Sequence, residues 1–172
     1  HGDFINCENA QVCGISYDGG YAEYVCVPKE AVAAIPDALK STDAAPLLCA
    51  GITVFNAMRN SSAKAGDTVA IQGIGGLGHL AIQYANKMGF RTVAISTSDD
   101  KKQLAEDLGA HHFINAKEQD AAEELQSLGG ADLILATAPN SKAITSVVRG
   151  LSRNGQVLVV AATGDMVEVS PL

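Results

Sequence analysis

Gly73-Ile74-Gly75-Gly76-Leu77-Gly78 sets three glycines in the spacing G-x-G-x-x-G, and that spacing handles phosphate. Gly73 permits a tight turn, Gly75 lets a pyrophosphate approach the backbone, and Gly78 lets a helix pack closely on the preceding strand. The N–H groups of Gly75, Gly76, Leu77 and Gly78, backed by the helix dipole, would then hold the anion. Alone the pattern is weak, because a chain with 17 glycines in 172 residues can produce it by chance. Here it directly follows Val69-Ala70-Ile71 and opens a helix-periodic segment, which is the setting the mechanism requires. The bland alternative is a purely structural strand-to-helix turn. The sequence favours a dinucleotide loop.

A second cluster, Ser96-Thr97-Ser98-Asp99-Asp100-Lys101, lies about twenty residues further on. An NAD site normally places Asp or Glu at the end of this second strand, to accept bonds from the ribose 2′-OH. Here the strand end is Ser96. Hydroxyls at Ser96, Thr97 and Ser98 with the ammonium of Lys101 suit a 2′-phosphate, which a carboxylate at that place would repel. NADP is therefore expected, with NAD as the alternative. Asp99 and Asp100 blur the choice, since either fits a 2′-OH or a helix cap, and Lys101 read blandly is a solvated helix-face charge.

Four cysteines, at 7, 13, 26 and 49, are the remaining reactive side chains. No C-x-x-C pair exists, so a self-contained zinc finger or thioredoxin-type motif is excluded on spacing. The chain has the composition for a core without staples, so free thiols are expected rather than disulfides, and with them a cytosolic home. Cys13 and Cys26 read as packing thiols. The histidines read as structural: His79 on a helix surface, and His111 and His112 as neighbours that point apart on a strand.

These residues need elements to position them. Tyr21, Glu23, Val25 and Val27 alternate with Ala22, Tyr24 and Cys26, a strand pattern after the turn residues Asp18-Gly19-Gly20. From Ser41 onward helix and strand alternate. Helices are expected over 41–60, from the glycine loop to Gly89, and over 99–108, 118–128 and 141–151. Strands are expected over 68–72, 92–96, 112–115, 132–137 and 156–162. Glu118, Asp120, Glu123 and Glu124 read as a solvated helix face. Apolar strands alternating with helices mean right-handed crossovers and a doubly wound parallel sheet, an α/β Rossmann fold, with predicted order 3-2-1-4-5. Residues 1–40 read as a residual β segment of another domain, and 41–172 as the dinucleotide-binding domain.

Composition narrows the function classes. Net charge −7 argues against nucleic acid or an anionic membrane surface as partner. No apolar run approaches the ~20 residues that span a bilayer. The chain opens on His1 rather than Met, and a piece of a longer protein is expected. None of Tyr17, Tyr21, Tyr24 or Tyr84 has Lys four residues on, as a short-chain dehydrogenase needs, and no P-loop, H-E-x-x-H or G-x-S-x-G occurs.

Several motifs in fixed order then carry a resemblance. Gly19-Gly20-Tyr21-Ala22-Glu23-Tyr24-Val25, Leu48-Cys49-Ala50-Gly51-Ile52-Thr53-Val54-Phe55, Gly66-Asp67 and the glycine loop are similar to the zinc-dependent medium-chain alcohol dehydrogenases, across the whole chain. The 96–101 segment looks most like their NADP-dependent, cinnamyl-alcohol-dehydrogenase-like branch. The resemblance implies a GroES-like catalytic domain carrying zinc, a Rossmann coenzyme domain, a small alcohol or aldehyde substrate and a homo-oligomer. It implies that zinc acts as Lewis acid while hydride passes to or from the nicotinamide. Cys49 matches a catalytic-zinc ligand, and Thr53, one helical turn on, a residue near the nicotinamide end. Thr137 and Ala161 match coenzyme-contacting positions at later strand ends. Cys7, in Gly2-Asp3-Phe4-Ile5-Asn6-Cys7, resembles the last cysteine of the structural-zinc lobe. One cysteine per site cannot hold zinc, which needs about four ligands. The 172 residues are therefore expected to be inactive alone and incomplete at the C-terminal end of the coenzyme domain. Two alternatives stand beside this reading: a zinc-free medium-chain enone or quinone reductase, and a non-catalytic dinucleotide-binding fragment.

Overall fold

A computed structural model describes residues 7–170. The chain divides into two compact units, His1–Ser41 and Thr42–Leu172.

In the first unit no described residue is buried. Its regular structure is a 3-10 turn at Lys29–Ala31 and an isolated bridge between Cys13 and Tyr17. The strand predicted over 21–27 does not form. Alternation of side chains makes a strand only when neighbouring backbone N–H and C=O groups pair, and no described segment pairs with this one. Cys13 and Cys26, expected to pack, are exposed: among the described residues of this unit there is no core to receive them.

The second unit is built around five strands. Its elements are α1 (Ser41–Ala44), α2 (Ala50–Arg59), β1 (Thr68–Gln72), α3 (Gly76–Lys87), β2 (Arg91–Ser96), α4 (Lys102–Asp107), β3 (His112–Asn115), α5 (Ala121–Ser127), β4 (Ala131–Ala136), α6 (Ser141–Val147) and β5 (Leu151–Val159). The sheet order is β3-β2-β1-β4-β5 and every pairing is parallel, as predicted. This is the doubly wound Rossmann arrangement, and the order reverses between β1 and β4.

Alternation along β1 splits the core in two. Val69 and Ile71 face one cluster with Val54, Met58, Ile82 and Leu133, while Ala70 faces the other with Ile95, Leu125, Ile134 and Val147. All five residues of β1 are buried, because helices cover both faces. Gly78, Ala81, Ile82 and Ala85 repeat at helical spacing on the buried face of α3. Each fully buried Leu or Ile contributes roughly 1.5–3 kcal/mol.

Three predicted elements differ in detail. The helix expected over 41–60 is broken: Pro46 sits in a 3-10 turn at Ala45–Leu48, and Cys49 leaves helical geometry before α2 restarts. The final strand begins at Leu151, five residues before its predicted start. Its opening stretch Ser152-Arg153-Asn154-Gly155 is polar, and the pairing with β4 shifts register there, with Asn154 at φ 65°. Finally, α5 starts after Asp120, whose side chain accepts from the N–H groups of Ala122 (2.9 Å) and Glu123 (3.2 Å). Asp120 is thus an N-cap of α5 while remaining exposed. Among the described residues no helix is long and apolar enough to cross a membrane.

Candidate functional site

At the carboxyl ends of β1, β2 and β4 a cleft of about 370 Å³ opens at the point where the strand order reverses. Ligands of open α/β sheets bind at such points. The structure brings Gly73, Ile74 and Gly75 of the loop together with Ser96, Thr97 and Lys101 after β2 and Thr137 after β4.

The glycines differ in what they protect. Gly73 has φ +94°, and a Cβ there would come within 2.7 Å of the Ala138 Cβ. A Cβ on Gly78 would land on the Gly73 carbonyl oxygen, so this position lets α3 start against the turn. Gly75 and Gly76 have open space where a Cβ would go. The room beside them serves nothing inside the protein. No side chain caps α3, and its first N–H groups have no partner one turn back, which leaves them to face an anion.

Thr137 fixes the other wall. Its hydroxyl oxygen lies 2.9 Å from the Gly73 carbonyl oxygen and 3.1 Å from that of Gln72, and its N–H donates to Gln72 O at 2.9 Å. Its side chain therefore holds the loop against β4.

Among the described residues Lys101 is the one charged side chain in the cleft lining, and its ammonium donates to the Ile74 carbonyl at 2.9 Å. It is not merely a solvated helix-face charge. Ser96 is buried, whereas Thr97 is exposed. Ser98 caps the following 3-10 turn by accepting from the Asp100 N–H at 3.2 Å, leaving Asp99 and Asp100 exposed and outside the lining.

Other predicted residues lie elsewhere. Gly76, Leu77 and Gly78 begin α3 beside the cleft but are not in its lining, and neither are Ser98 and Ala161, the latter just past the end of β5. Cys49 is exposed at the N-cap of α2, and Thr53 is half-buried one turn on, its N–H donating to Cys49 O at 3.0 Å. Cys7 is exposed in the first unit, and Gly2 to Asn6 of its motif lie outside the described residues.

The cleft also contains residues that no motif announced. Gln72, Ala116, Asn140 and Ser146 line it. Asn140 accepts from the Ala143 N–H at 3.0 Å as the cap of α6, a signal available in the sequence as Asn before a helix. The Gln72 Oε1 atom is buried without a hydrogen-bond partner, and nothing in the sequence foretold that.

At the opposite end of the sheet the histidines do structural work. The Thr92 N–H donates to His111 Nδ1 at 2.9 Å, and His112 Nε2 lies 3.0 Å from an Arg91 guanidinium nitrogen. Burial, then the Arg91 charge, then His111, hold the His112 imidazole below the ordinary histidine range.

The sequence profile of zinc-binding dehydrogenases matches residues 76–172. The chain belongs to this family. It is 50% identical over 163 residues to the alcohol dehydrogenase patD of Penicillium expansum, covering 95% of this chain and 48% of that protein. It is 45% identical over 148 residues to an alcohol dehydrogenase of Geobacillus stearothermophilus, covering 86% of this chain and 44% of that one. Among solved structures, the alcohol dehydrogenase of Aeropyrum pernix superposes with a TM-score of 0.86 at 28% identity, over 96% of this chain and 50% of that one. A zinc-binding dehydrogenase from Sinorhizobium meliloti 1021 bound to NADP gives 0.86 at 29%, over 99% and 52%. The chain thus spans about half the length of the curated relatives it matches.

Proposed function

We propose that the chain supplies the dinucleotide-binding part of an alcohol dehydrogenase that moves hydride between NADP(H) and an alcohol or aldehyde. One observation carries the choice of coenzyme. Lys101 sits against the glycine loop in a cleft whose lining also includes Ser96 and Thr97 and no carboxylate. Support for the reaction comes from relatives named alcohol dehydrogenases and from a neighbour solved with NADP.

The fit to a dinucleotide rests on the cradle. Gly75 and Gly76 leave the approach to the backbone open, and the N-terminal N–H groups of α3 are placed to hold a pyrophosphate. Lys101 and the hydroxyls near the end of β2 would hold the 2′-phosphate. Thr137 is a positioning residue, since its hydroxyl already serves the loop carbonyls. When bound, the nicotinamide supplies the hydride acceptor or donor, and an alcohol losing hydride also loses one proton to become the aldehyde.

Zinc is a different matter. Among the described residues no group of three or more His, Cys, Asp or Glu side chains is placed to hold a metal ion. Cys49 and Cys7 would each be a single thiolate toward such a centre. The four free thiols support a cytosolic setting.

Calorimetric titration of the chain with NADPH and NADH tests the reading. NADPH is expected to bind at least about tenfold more tightly, and Lys101→Ala to remove most of that preference, on the scale of a charge-assisted phosphate contact. Equal binding of the two coenzymes that is insensitive to Lys101→Ala would refute the NADP assignment, and binding of neither would refute the dinucleotide reading.

A further inference from the structure

Gln72 ends β1, is 6% exposed, and keeps its Oε1 buried with no hydrogen-bond partner. A polar atom in that state is a standing loss unless something else satisfies it. Its neighbours in the strand show where it points. Val69 and Ile71 face the α3 side and Ala70 the other, so Gln72, in phase with Ala70, faces the cleft with Ile95 and Val147. Those neighbours are apolar, like the faces of a planar base.

The cleft's other border says which part of a dinucleotide lies there. Gln72 pairs in register with Ile95, and Ser96 and Thr97 follow immediately. The strand end at Ser96 is where the ribose of the adenosine half is read. A nucleobase attached to a ribose held there would lie against Gln72, with the nicotinamide away from it.

We infer that the Gln72 carboxamide reads the base, accepting from the exocyclic amine of adenine and donating to the ring nitrogen N7. A carboxamide offers one acceptor and one N–H₂ group side by side, which matches the amine and ring nitrogen of adenine. The terminal torsion of Gln is broad, so rotating the amide to present both groups meets little resistance. Hypoxanthine keeps N7 but carries a carbonyl in place of the amine, so that edge offers two acceptors, and the Gln72 oxygen loses its donor whichever way the amide is turned. The inference rests on the dinucleotide reading above and adds a specificity for the base that the glycine loop cannot supply.

The test titrates the full chain with NADPH and with its deaminated analogue, nicotinamide hypoxanthine dinucleotide phosphate. The wild-type protein should favour NADPH by about tenfold, the scale of a base-edge pair. Gln72→Met and Gln72→Leu, apolar and similar in size, should bring the ratio close to one. Both variants should melt at or above the wild-type temperature, because each removes an unsatisfied buried atom. A role in packing alone would not move the ratio. Absence of base preference in the wild-type protein overturns the inference, as does a preference that survives in both folded variants. Binding of NADPH with no base preference defeats only this inference, whereas binding of neither nucleotide defeats the dinucleotide reading and this inference with it.

Discussion

The two units carry similar raw material and use it differently. Val12, Ile15, Tyr21, Tyr24 and Val32 in the first unit are all more than half exposed, while Val69, Ile71, Leu133 and Ile134 in the second are fully buried. Both stretches contain β-branched and aromatic residues in strand-like order. The second pairs each strand with a parallel neighbour and covers both faces with helices. The lesson is that an alternating or apolar pattern is a statement about neighbours. Without a partner strand and a covering layer it specifies nothing by itself.

Mutations that hit equivalent side chains in the two units put the widest strain on this contrast. Leu133→Ala should destabilise the second unit by about 2–5 kcal/mol in urea unfolding, through lost transfer energy and a cavity. Ile15→Ala, at a residue that is 83% exposed, should stay within about 0.5 kcal/mol. Equal losses at the two sites would break the comparison.

Within the second unit the glycines sharpen it further. Helix propensity favours Gly78→Ala by about 1 kcal/mol. The new Cβ would meet the Gly73 carbonyl, however, and overpacking against backbone costs typically about 1–3 kcal/mol, so the clash should win and lower the melting temperature. Gly75→Val meets open space. It should leave stability within about 0.5 kcal/mol while weakening NADPH binding tenfold or more, since only the ligand needs that room.

The smallest expected effect is on acid sensitivity. His112 has a folded-state pKa below its unfolded value, so the folded protein binds fewer protons than the unfolded chain. Its contribution is fully present above pH about 6.5 and is lost as pH falls from there through the lowered folded value. Melting curves from pH 8 to 5 should show a decline that is shallower in His112→Gln. An identical decline in that variant would remove His112 from the account.

Much of the second unit was legible in the sequence for a physical reason. The strands over 68–72 and 112–115 match their predicted limits, and the strand order was foreseen, because buried parallel strands are unbroken apolar runs between helix signals. β5 was harder to bound. Arg153 and Asn154 carry no apolar signal, and a register shift depends on the partner strand. Gly73, Ser96 and Lys101 could be placed at one strand-end cleft from spacing, and Thr137 from the family resemblance, since topology brings strand ends together. The hydrogen bonds of Lys101 and Thr137 to loop carbonyls, and the solitary oxygen of Gln72, depend on side-chain directions that no spacing encodes. For Cys49 the resemblance implied a ligand position, and among the described residues no group of three or more His, Cys, Asp or Glu side chains is placed to hold a metal ion.

The short contact between the Lys101 ammonium and the Ile74 carbonyl also bears on how fast and how favourably an anion is captured. A lysine arm free in solvent loses up to about 2 kcal/mol of rotational freedom when a ligand pins it. Here one of the ammonium's three N–H groups already goes to the carbonyl, which leaves two in hand and orients the arm toward the loop. On the NADP reading proposed above, an incoming phosphate would meet a charge already aimed, and the lysine would serve as a beacon at the mouth of the cleft rather than as a tether that must first be caught.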